Sequence, residues 1–148
     1  MGLDMYAYCV NAKAVTHDFG DALKDELKLA QKIDKENGDL RDVSGQKSLF
    51  YAKFGYWRKF NHLHGWMENL YREKGGTECF NCIPVRLTLA DIDRLENDLN
   101  QRNLKPTVGF FFGDDELYAE DVKSLTDFIQ NSREAINDGY AVIYDSWW

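Results

Sequence analysis

The amino-acid sequence predicts an α+β fold: a small four-stranded sheet with about four helices packed mainly on one face. Three observations carry that expectation. Apolar and polar residues alternate from Leu3 to Val10, which is the period of a strand. Apolar residues recur at three- and four-residue steps in several later segments, which is the period of a helix. Glycines and the two prolines, Pro84 and Pro106, fall between those segments, with no internal repeat and no low-complexity tract. The 148 residues are therefore expected to form a single globular domain over 1–148.

In the first strand, Leu3, Met5, Ala7 and Cys9 share one face, expected to point at the core. Asp4, Tyr6, Tyr8 and Val10 share the other, expected to be half covered, because tyrosine suits a surface that is apolar at the ring and wet at the hydroxyl. A helix is expected over about 21–36, where Leu23, Leu27, Ala30 and Ile33 keep helical spacing, with Gly38 as its cap. Residues 39–48 are polar and read as a loop.

The strongest helical stripe is Tyr56, Phe60, Leu63, Met67 and Leu70, widened by Trp57, His64 and Tyr71. It predicts a helix over about 49–74, ended by Gly75-Gly76. Gly55 and Gly65 each cost such a helix roughly 1 kcal/mol, so close packing at these points or a later start is expected. Residues 83–87 read as a short strand, and Thr88 with Asp91 as the capping box of a helix carrying Leu89, Ile92, Leu95 and Leu99. Residues 108–112 read as a buried strand between Gly109 and Gly113. A helix over about 119–137 with Val122, Leu125, Ile129 and Ile136 inward, a cap at Gly139 and a last strand over 140–144 complete the chain.

Composition narrows the function. A 44% hydrophobic and 14% aromatic content is too rich for a disordered chain. A formal charge of −7 opposes a nucleic-acid backbone or an anionic membrane as the main partner and favours a basic one. The N-terminus lacks the basic and apolar regions of a secretory signal, and Tyr6 breaks the myristoylation pattern. The odd number of cysteines (Cys9, Cys79 and Cys82) fits reduced thiols, so a cytoplasmic location is expected.

The opening Met1-Gly2-Leu3-Asp4-Met5-Tyr6, the run Tyr56-Trp57-Arg58-Lys59 followed by Asn61 and His64, and Pro106-Thr107 through Gly109-Phe110-Phe111-Phe112-Gly113 resemble a family of small, uncharacterised bacteriophage and bacterial proteins. The match spans most of the chain. The resemblance implies a phage or bacterial cytoplasm, with Asp4, Tyr6, Arg58, Asn61, His64 and Thr107 as the family's best-kept polar positions and Cys79 matching a cysteine many members carry. It implies no activity. Where that family has a glycine soon after the cysteine, this chain has Phe80-Asn81-Cys82.

Those six polar residues form the candidate ligand site. If helical, Arg58, Asn61 and His64 follow at three-residue steps along one side. Arginine offers a planar fork for an anion, histidine a proton near neutrality, and asparagine two orienting hydrogen bonds. Asp4 and Tyr6 could join them from the first strand. The same residues equally make a structural cluster, with Arg58 paired to Asp4 and His64 satisfied in the core.

Cys79-x-x-Cys82 with Cys9 supplies too few thiolates for a zinc tetrahedron, so no metal and no cofactor are expected. Asp114, Asp115, Glu116, Glu120 and Asp121 precede or open a helix, where acid stabilises the dipole without a metal. Trp147 and Trp148 are either a partner anchor or a plug folded onto the core. No phosphate loop, dinucleotide fingerprint or hydrolase elbow is present. The sequence thus points to a small accessory protein that binds and modulates a host protein. The alternative is an anionic-metabolite or nucleotide site, possessing or lacking catalysis, built on Arg58, Asn61 and His64.

Overall fold

The structure, a computed structural model, describes residues 2–44, 50–109 and 112–148. Its elements run β1 (Asp4–Asn11), a 3-10 turn (Ala12–Ala14), α1 (Gly20–Ser44), β2 (Phe50–Arg58), α2 (Asn61–Glu73), β3 (Val85–Leu87), α3 (Leu89–Asn100), α4 (Ala119–Asn137) and β4 (Tyr140–Trp147). The strands form one antiparallel sheet in the order β2-β1-β4-β3, so the expected α+β class is the observed one.

Register assigns every strand residue to a face. Met5 lies opposite Trp57 and Ser146, Ala7 opposite Gly55 and Tyr144, and Cys9 opposite Val142. This face carries α2, α3 and α4, with Leu63, Met67, Ile92, Leu95, Leu125 and Ile129 closing the principal core over it. The other face presents Asp4, Tyr6, Tyr8 and Val10 beside Tyr56, Arg58, Ile143, Asp145 and Trp147. Helix α1 lays Leu23, Leu27 and Ala30 on Val10, Ala141 and Ile143, with Val15 and partly buried Tyr8 packed in the same cluster. Three helices therefore cover one face, and one helix covers part of the other.

The expected helix over 49–74 is two elements. Residues 50–58 are β2, Lys59 takes a positive φ of 56°, and the helix begins at Asn61. Pairing with β1 decides the difference, since aromatic residues favour strands once a partner is present. Gly55 has a steric role there: a Cβ would stand 2.8 Å from the Trp57 ring and 3.0 Å from the Ala7 Cβ. The expected strand over 108–112 is not found in the described residues. Val108 is 94% exposed, Phe112 is buried in a bend, and Phe110 and Phe111 lie outside the described residues.

Helix α1 runs past Gly38 to Ser44, because one glycine costs a helix only about 1 kcal/mol. The expected loop over 39–48 is helical to 44, and the remainder lies outside the described residues. The later expectations hold closely. Thr88 Oγ1 accepts from Asp91 N–H at 3.2 Å while Asp91 Oδ2 accepts from Thr88 N–H at 2.9 Å. Gly139, at φ 92°, turns α4 into β4.

Candidate functional site

The six candidate residues divide between the two faces of the sheet. Asn61, at the first turn of α2, is buried, and each of its polar atoms is committed. Its Nδ2 donates to Phe112 O at 3.1 Å and Asp114 O at 2.7 Å, while Oδ1 accepts from Thr107 N–H at 2.9 Å. Neighbouring His62 Nε2 lies 3.1 Å from Asp115 O. These bonds fasten the segment from Thr107 to Asp115 to the helix. A side chain does there what a strand ladder would otherwise do.

His64 is fully buried, with Nδ1 2.8 Å from Tyr144 Oη. Its ring lies 5.3 Å from Phe80 and 5.0 Å, edge-on, from Phe112. Burial lowers its pKa to about 4, so it is neutral at pH 7. Among the described residues Nε2 has no hydrogen-bond partner. An imidazole closed off in this way supports the core and offers no proton to an outside ligand.

Asp4, Tyr6 and Arg58 lie on the opposite face. Tyr56 Oη donates to Asp4 Oδ1 at 2.8 Å, and Arg58 Nε stands 4.0 Å from the same oxygen. The Tyr6 ring centroid is 5.5 Å from that of Tyr56 and 6.5 Å from that of Tyr8. Asp145 is opposite Tyr6, and Trp147 is opposite Asp4. Burial raises Asp145 to about 6. Burial first, then Asp4 and Asp145, raises the Tyr6 phenol. Tyr56 and Trp147 are 56% and 53% exposed. The result is a row of aromatic rings edged by two carboxylates and a guanidinium on the face that α1 covers in part, with Tyr56 and Trp147 exposed and Tyr6, Tyr8 and Asp145 half-buried.

The single site expected from Arg58, Asn61 and His64 is therefore corrected. Arg58 ends a strand, and the sheet stands between it and His64. The Trp147-Trp148 pair also divides. Trp148 Nε1 donates to Phe80 O at 3.1 Å, and its ring meets Phe112 edge-on at 5.2 Å. Its backbone and Asn81 exchange hydrogen bonds of 2.6 and 3.0 Å. Trp148 folds back, whereas Trp147 faces solvent.

Cys9 is buried, Cys79 exposed and Cys82 half-buried, and all three are free thiols. Among the described residues no three His, Cys, Asp or Glu side chains stand close enough to share a metal. Asp114 closes a local turn by accepting from Glu116 N–H at 3.1 Å and Tyr118 Oη at 2.6 Å. Those two bonds hold its carboxyl below the usual range. Glu120 and Asp121 occupy the first turn of α4, where they complement its dipole.

The sequence reading placed Tyr8 beside Asp4 and Tyr6 but missed Tyr56 and Asp145 as their neighbours. The signal was an alternation shared by three segments: Asp4-x-Tyr6-x-Tyr8, Tyr56-x-Arg58 and Asp145-x-Trp147. Comparison with known proteins adds no relative: no family model, no curated protein and no solved structure matches the chain. Among the described residues no helix is long and apolar enough to cross a membrane.

Proposed function

We propose that this chain is a small accessory protein that binds and modulates a bacterial protein in the cytoplasm, a host protein where the chain is phage-encoded. The docking surface in this reading is the exposed end of the sheet face that α1 covers in part, at Tyr56 and Trp147. The observation that supports it is the exposure of Tyr56 and Trp147 beside Tyr6 on a rigid, paired surface. Tyrosine, tryptophan and arginine dominate binding hot spots, because a large ring or planar fork gains much contact for little lost freedom. The fold itself gains little from Trp147 there, since the ring is half exposed. Asp4, Asp145 and Arg58 add charges that fix orientation. The phage or bacterial setting rests on the sequence resemblance.

A pull-down from bacterial lysate tests the reading. The wild-type chain should retain a stoichiometric partner. Trp147→Ala and Tyr56→Ala should lose it with little change in Tm, whereas Trp148→Ala should lower Tm, because it removes the contacts to Phe80 and Phe112. Retention by both surface variants, or no partner for the wild type, overturns the proposal.

A further inference from the structure

We propose that the outer edge of β2, with the trough between β2 and α4, takes an extended basic segment of the partner as a fifth strand. This rests on the reading above that the chain binds a protein, and adds how and what it grips.

The two edges of the sheet are treated differently. The β3 edge is closed: Phe19 bridges Val85, Arg86 N–H donates to Asp18 O at 2.8 Å, and Gly20 N–H donates to Pro84 O at 3.1 Å. The β2 edge runs over nine residues with a bulge between Tyr51 and Gly55, its regular stretch being Gly55–Arg58, and no strand among the described residues pairs with its outer side. Lys59 N–H donates to Leu3 O at 2.8 Å. By antiparallel alternation Trp57 and Gly55 then turn their main-chain groups to β1, and Tyr56 and Arg58 turn theirs outward. Such groups template another strand unless they are blocked.

Beside this edge lies a cavity of about 490 Å³ between Tyr56 and Trp57 on the strand and Ser124, Asp127 and Phe128 on the helix. A second, of about 330 Å³, shares Phe54 and Asn131 with the first and continues towards Cys9 and Ala135. Phe128 forms the apolar floor, edge-on to Trp57 at 5.0 Å and to Phe54 at 6.0 Å. Trp57 Nε1 donates to Ser124 Oγ at 2.9 Å, which holds the ring in place. Along α4 from Glu120 to Asp138 the trough is about 27 Å long. At about 3.3 Å per residue, roughly eight residues of extended chain fit that length.

Charge selects the occupant. Glu120, Asp127, Glu134 and Asp138 line the α4 side against Lys123 alone. Arg133 is turned to α3, where it holds Asp93 and Glu96. A second copy would bring the same acidic rim and another charge of −7, which like-charge repulsion disfavours. An alternating apolar and basic segment would place one set of side chains on the Phe128 floor and the other at the acidic rim.

The probe is a fluorescent peptide of sequence Lys-Val-Lys-Val-Lys-Val-Lys-Val, followed by anisotropy, with the Glu-Val repeat as its counterpart. The basic peptide should bind and the acidic one should not. Glu120→Lys with Asp127→Lys should weaken binding about tenfold or more, while the same charge change at exposed Asp21 and Asp25 should not. Tyr56→Pro should also abolish it by removing one outward N–H, and the α4 double variant leaves that strand intact should the proline prevent folding. Equal loss in both charge-reversed proteins, equal binding of both peptides, or a dimer that the peptide does not dissociate overturns the proposal. A chain that loses its lysate partner on Trp147→Ala yet ignores the peptide sinks the trough alone.

Discussion

His64 Nδ1 and Tyr144 Oη stand 2.8 Å apart in the closed interior, joining α2 to β4 across the principal core. The next residue on the strand, Asp145, points to the opposite face by simple alternation. Burial perturbs both titrating groups, in opposite directions relative to their ordinary values.

A pH-dependence follows with two signs. His64 falls from 6.5 to about 4 on folding. The unfolded chain binds the extra proton, so this contribution is fully present above pH 6.5 and is lost as pH falls towards 4. Asp145 rises from 3.8 to about 6. Its contribution is present below pH 3.8 and is lost as pH rises through 6. Each is on the order of 3 kcal/mol at full extent. Urea unfolding between pH 4 and pH 7.5 should show wild type gaining on His64→Gln as pH rises, and losing ground to Asp145→Asn over the same interval. Two flat difference curves would show that neither group is perturbed.

Asn61→Asp should be more damaging than its size suggests. The change replaces two donors with an acceptor facing the carbonyls of Phe112 and Asp114 in a buried setting. A loss of about 3 kcal/mol or more is expected at pH 7. Part of it should return on acidification, when a protonated carboxyl donates again. Stability equal to wild type at pH 7 would mean that these bonds do not hold the segment.

Gly65→Ala should destabilise by about 1–3 kcal/mol. A Cβ at Gly65 would overlap Thr107 Oγ1 and approach Thr107 Cβ at 3.0 Å. Thr107→Ala removes the hydroxyl and should restore part of the loss in the double variant. Additive losses in that cycle would place the cost of Gly65→Ala elsewhere.

Much of the fold was legible because it is written in local chemistry. The first strand, the Thr88–Asp91 capping box, the helix over Ala119–Asn137 and the Gly139 turn each depend on side chains a few residues apart. The candidate site was legible only in pieces. Asn61 and His64 do lie on one helix, but Arg58 lies on the strand before it. Aromatic residues from Phe50 to Phe60 satisfy helical spacing and strand propensity alike, and nothing local separates the two.

The sequence by itself determined the α+β class, the core face of β1 and the boundaries of α4, since periodicity and capping act within one segment. Tertiary structure alone decided that 50–58 is a strand, that Asn61 anchors the Thr107–Asp115 segment, and that Arg58 and His64 are parted by the sheet. Those outcomes depend on main-chain pairing and on the Asn61 hydrogen bonds between residues 46 to 53 positions apart. Such bonds form only once the core has brought distant segments into register.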